Sequence, residues 1–67
     1  MWIWIVTEKT SGAVVGAFTY KHNMVRHLKK VGASPDNARI IRVKNCKVGS
    51  AVDDTDRVFR EIAKDEQ

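Results

Sequence analysis

The chain has 67 residues, a single cysteine and a net charge of +4. That length makes one domain, residues 1–67, near the lower limit of what folds without staples. Cys46 alone excludes an internal disulfide, no cysteine–histidine cluster has zinc spacing, and no segment nears the ~20 apolar residues of a membrane span.

Trp2-Ile3-Trp4-Ile5-Val6 is an unbroken apolar run of aromatic and β-branched side chains, the types that suit a pleated surface. Ala13-Val14-Val15-Gly16-Ala17-Phe18 is a second such run. The polar stretch Glu8-Lys9-Thr10-Ser11-Gly12 between them ends in a glycine able to take positive φ. A simple hairpin closed by that turn sets Trp2 against Phe18, Trp4 against Gly16 and Val6 against Val14 on one face. Ile3, Ile5, Thr7, Ala13, Val15 and Ala17 form the other. A strand apolar on both faces belongs in the middle of a sheet.

The pattern turns helical from Tyr20, with Thr19 as a good N-cap. Met24, Val25, Leu28 and Val31 form one stripe, Lys21, Arg26, Lys29 and Lys30 lie off it, and Gly32 is a natural stop. Pro35 bars continuation of the helix. Ala38 to Lys44 reads as a third strand, with Ile41 and Val43 on one face and Ile40, Arg42 and Lys44 on the other. Its alternating cations suit a sheet edge. Asn45 to Ala51 is irregular or a short extension of that strand. Asp53, Asp54 and Thr55 offer N-caps to a final helix whose stripe is Val58, Phe59, Ile62 and Ala63, and Asp65-Glu66-Gln67 is expected to fray.

These elements predict an α+β fold: a single small ββαβα domain with helices over 20–31 and 54–64. A right-handed crossover brings the third strand beside the first, for a three-stranded sheet of order 2-1-3 with helices packed on one face. Two placements of the helices are open. The Ile/Val/Ala face lets helices approach closely, which would leave Trp2, Trp4 and Phe18 for another chain or a ligand. Alternatively the helices cover the tryptophans and the aliphatic face stays modestly exposed.

Charge is unevenly placed. Lys21, Arg26, Lys29, Lys30, Arg39, Arg42, Lys44 and Lys47 stand against Asp36 alone in the middle of the chain, while the last fifteen residues are net acidic. A basic band attracts nucleic acid or an acidic protein surface, and otherwise serves as a solvated face. The N-terminal apolar run lacks a basic leader and is too short for a signal peptide, so a soluble cytoplasmic protein with no membrane contact is expected.

Ile3-Trp4-Ile5-Val6-Thr7-Glu8 and the step Gly16-Ala17-Phe18-Thr19, feeding a charged helix, resemble the opening of a loose group of short, mostly uncharacterised phage and prophage proteins. The resemblance covers roughly residues 2–31. It implies a hairpin-plus-helix fold and a mobile-element origin, and brings no functional residues. The helix here is basic, with His22 and Met24, where that group mixes acidic and basic residues. Phage proteins of this size are often binders that modulate host machinery, including inhibitors of host defence.

Catalysis is hard to assemble from these residues. His22 and His27 sit about 140° apart around a helix and do not converge on one metal. Cys46 lies between Lys44 and Lys47, which favours a thiolate, but no base or oxyanion site accompanies it. No phosphate-binding glycine loop or serine–histidine–acid order is present. The expectation is no enzyme, no metal and no cofactor.

Two binding readings follow. The first is a protein-interaction module that docks the tryptophan face, or the basic helix through Lys21, Arg26, Lys29 and Lys30, on an acidic protein surface, with a homodimer as one form of it. The alternative is direct nucleic-acid binding by a sheet face carrying Trp2, Trp4, Phe18, Arg42 and Lys44, an aromatic platform with flanking cations. A one-residue slip of register would invert that face.

Overall fold

The computed structural model describes residues 1–45 and 48–65. In order these form β1 (Trp2–Glu8), β2 (Val14–Phe18), α1 (Lys21–Val31), β3 (Ala38–Lys44), a short 3₁₀ turn (Val48–Ser50), β4 (Val52–Asp53) and α2 (Thr55–Asp65). Cys46, Lys47, Glu66 and Gln67, whose thiolate and fraying expectations were set out above, lie outside the described residues.

The strands make one antiparallel sheet of order β2-β1-β3-β4. The α+β class holds, and β1 is internal as its double-sided apolar composition requires. The expected three strands become four because the chain turns back after β3 and pairs Val52 with Arg42 and Asp53 with Ile41. β3 is therefore an inner strand, not the edge its cations suggested. The Ser50 hydroxyl holds the return by accepting from the Lys44 N–H at 3.0 Å.

The hairpin turn closes through the Gly12 N–H donating to the Glu8 carbonyl at 2.7 Å, with Gly12 at φ 75. Its register differs from the simple one. Trp4 opposes Phe18 and Val6 opposes Gly16, and then Thr7 opposes Val14, which leaves Val15 as an extra residue. A bulge of this kind shifts the pairing without a signal in hydropathy. Gly16 therefore lies under no indole. The ring of Phe18 occupies that space instead, so that a β-carbon at position 16 would sit 2.8 Å from it.

Both helices begin one residue later than expected. Tyr20, with extended backbone, heads α1 and provides no side-chain cap, so Thr19 falls one position too early to serve. Gly32 ends α1 as foreseen: at φ 67 its N–H meets the Lys29 carbonyl, and the Ala33 N–H reaches back to Leu28. α2 starts at a clip. The Asp53 carboxylate accepts from the Thr55 N–H (3.0 Å) and hydroxyl (2.6 Å), while the Thr55 oxygen accepts the Ile40 N–H at 2.9 Å.

The core comprises Val6, Met24, Leu28, Ala38, Ile40, Val58 and Phe59, with Trp4, Phe18, Val25, Ala33 and Ile62 packed against it. Val31 and Ala63, assigned to apolar stripes from the sequence, are exposed. Because opposed residues share a face, this core fixes which side the helices cover: Trp4, Val6, Gly16, Phe18 and Ile40 lie beneath them. The closer-packing Ile/Val/Ala face is the open one. Large aromatic side chains release most free energy when buried, and Gly16 makes room for the Phe18 ring on that side.

Candidate functional site

Three surfaces follow from this arrangement. The first is the helix-free sheet face. Ile3 opposes Val43, Ile5 opposes both Ile41 and Ala17, and Thr7 opposes Val14. None of these belongs to the cluster beneath the helices or packs against it, although Val43 is itself buried. Val43 is buried, Ile3, Ile5 and Ile41 are half-buried, and Ala17 and Val14 are exposed, the last at 66%. The middle of the patch is thus largely withdrawn from solvent while its β2 side stays open. Among the described side chains of this face, charge enters at one corner, where Arg39 stands 3.9 Å from Asp53. Hydrogen bonds from the Thr55 hydroxyl and N–H, with Arg39 adding to them, hold the Asp53 carboxyl below the usual range.

The second surface is aromatic and basic, at the Trp2 end of the opposite face. The expected platform of Trp2, Trp4, Phe18, Arg42 and Lys44 does share one face, but it is not open: Trp4 and Phe18 pack against the core. Phe18 also meets the His27 ring at 5.3 Å. What remains is Trp2, with the Arg42 guanidinium 4.3 Å and the Lys44 ammonium 5.8 Å from its ring centre. A cation–π contact of this kind contributes about 0.5–1 kcal/mol at an exposed site. Among the described residues no carboxylate pairs with Arg42 or Lys44. Two nitrogens on this side, Trp4 Nε1 and Arg42 Nε, are shielded from solvent and have no acceptor among the described residues. Arg42 also lines an open groove of about 630 Å³ with Arg39, Arg57 and Arg60, together with Asp53, Asp54 and Asp56 at the start of α2.

The third is the basic helix. Lys21 is bound to Glu61 of α2, and Arg57 lies 3.8 Å from the same carboxylate. The Lys21 hydrogen bond, aided by the charges of Lys21 and Arg57, keeps the Glu61 carboxyl below its ordinary value. Lys21 thus acts as an inter-helix tie, and only Arg26, Lys29 and Lys30 of the expected set stand free on the surface. His22 and His27 are engaged with Tyr20 and Phe18 rings. No group of three or more metal-ligating side chains occurs among the described residues, and no helix among them is long and apolar enough to cross a membrane.

The structure brings together two sets that sequence reasoning missed. Thr55 was named only as one possible cap, yet it joins β3, Asp53 and α2. The aliphatic patch was noted as a face but not as a site. Its signal was present in the sequence, since Ile3, Ile5, Ile41 and Val43 alternate with the core positions. No family model, curated protein or solved structure matches the chain.

Proposed function

We propose that the protein is a non-catalytic protein-interaction module that docks through the helix-free sheet face. The observation that supports this is the contiguous patch of Ile3, Ile5, Val14, Ala17, Ile41 and Val43, to which neither helix contributes. Exposed apolar patches rimmed by polar residues mark interaction sites in small domains. The partner is a protein with an apolar docking surface on an acidic body, which the net charge of +4 attracts. The small-phage-protein resemblance agrees with a module that modulates host machinery, defence systems included.

Affinity capture with nuclease present tests this when wild type and Ala17→Lys are compared. Position 17 is exposed on an outer strand, so the variant folds while placing a charge in the patch. A partner retained by wild type and by Lys29→Ala but lost with Ala17→Lys agrees with the proposal. Undiminished capture by Ala17→Lys contradicts it. The isolated chain is expected to run as a monomer by light scattering; a dimer abolished by Ala17→Lys would make a second copy the occupant.

A further inference from the structure

We propose that Trp4 Nε1–H and Arg42 Nε–H are the paired donors of a phosphate-binding site on the helix-covered side of the sheet, with Lys44 as its second cation. Trp4 and Arg42 are directly opposed across β1 and β3, so their side chains leave the same face side by side. Both nitrogens are donors only, both are withdrawn from water, and neither finds an acceptor among the described residues. Buried donors are nearly always satisfied, and an orphaned pair on adjacent residues points to one acceptor that serves both.

The surroundings select the acceptor's chemistry. Arg42 and Lys44 gather two positive charges at the Trp2 ring, and no carboxylate among the described residues pairs with either. Asp53, Asp54 and Asp56 share the groove lining with Arg42; Asp53 is already engaged by Thr55 and Arg39, and neither of the other two forms an ion pair with Arg42 among the described residues. A doubly charged oxyanion with several lone pairs matches two cations and two N–H donors on opposed residues better than a single carboxylate does. Entry is through the guanidinium. Only the cation–π contact with Trp2 holds it, and a charge-assisted bond to phosphate outweighs that contact. The same chemistry is presented by free phosphate or by the backbone of a single strand whose bases stack near Trp2. This site lies on the side of the sheet opposite the proposed docking face and does not depend on it.

The chain's only tryptophans, Trp2 and Trp4, both report on the site. Sodium phosphate titrated at constant ionic strength should change tryptophan emission saturably and shift the Trp4 indole N–H resonance downfield, where sodium chloride and acetate do neither. Trp4→Phe and Arg42→Lys, which remove one donor while keeping ring or charge, should each weaken binding about tenfold, and Lys29→Ala should bind as wild type. An oligothymidylate that binds tighter than phosphate, and loses that advantage in Trp2→Ala, assigns the source to single-stranded nucleic acid; equal affinity assigns it to free phosphate. An indole resonance that ignores phosphate in the wild-type protein overturns the site, with no variant needed. So does acetate acting as strongly as phosphate, or Trp4→Phe and Arg42→Lys binding undiminished.

Discussion

The two faces of this sheet are both apolar and have different fates. One carries Trp4, Val6, Phe18 and Ile40 beneath two helices; the other carries Ile3, Ile5, Ile41 and Val43 with no helix over them. Hydrophobicity alone does not distinguish them. What does is shape: the covered face combines large aromatic side chains with small residues, the Phe18 ring lying over Gly16, and packs with helix residues Met24, Leu28 and Val58 into one core. The open face is uniformly mid-sized, and its strands shield one another laterally. That flat aliphatic surface suits a partner better than it suits a helix.

The sharpest way to break the comparison is to cut equal volume from each face. Ile40→Ala should cost about 2–5 kcal/mol, because Ile40 is fully buried at the centre of the core. Ile41→Ala, its neighbour on the half-buried face, should cost well under half as much by urea denaturation. Next comes the clip that seats α2 on the covered side. Thr55→Val keeps the shape but leaves the Ile40 N–H without its 2.9 Å acceptor, an expected loss of about 1–3 kcal/mol. Gly16→Ala should lose roughly 1–2 kcal/mol, since the Phe18 ring must yield to a β-carbon 2.8 Å away; near-UV circular dichroism should register the displaced ring.

The smallest effect concerns pH. Glu61 and Asp53 both have carboxyls held below their ordinary values, by Lys21 and by Thr55 respectively. Their stabilisation is therefore fully present above the normal carboxylate range and is lost as pH falls through the depressed folded values. Both groups are largely exposed, so each contributes at most about 1 kcal/mol. Glu61→Gln should flatten the acid limb of the stability curve and leave neutral pH nearly unchanged.

Much of the fold was legible in the sequence. The unbroken aromatic and β-branched run of β1, the alternation in β3, the helical stripe at Met24 and Leu28, and the stop at Gly32 each placed an element within a residue or so. What escaped has physical reasons. The bulge at Val15 displaces the register by an amount that no side chain announces. β4 spans only Val52–Asp53, too short for periodicity, and it exists because the return after Lys44 brings its backbone to β3. The face could not be chosen because β1 is apolar on both sides; the choice depends on the fit of Met24, Leu28 and Val58, which lie far along the chain. The aromatic and basic residues were correctly grouped on one face. Their partial burial under the helices was the part composition could not disclose.

The central claim is that the helices cover the even-numbered side of β1 and leave the odd-numbered side free. Ile5→Thr and Val6→Thr test it most directly, because the two positions are adjacent and point to opposite faces. Burial of a hydroxyl among core side chains costs about 1–3 kcal/mol, whereas a half-open sheet surface tolerates threonine. Urea midpoints should therefore fall sharply for Val6→Thr and by less than about 1 kcal/mol equivalent for Ile5→Thr. Equal losses, or the larger loss at Ile5, would contradict the assignment of the faces and the docking surface derived from it.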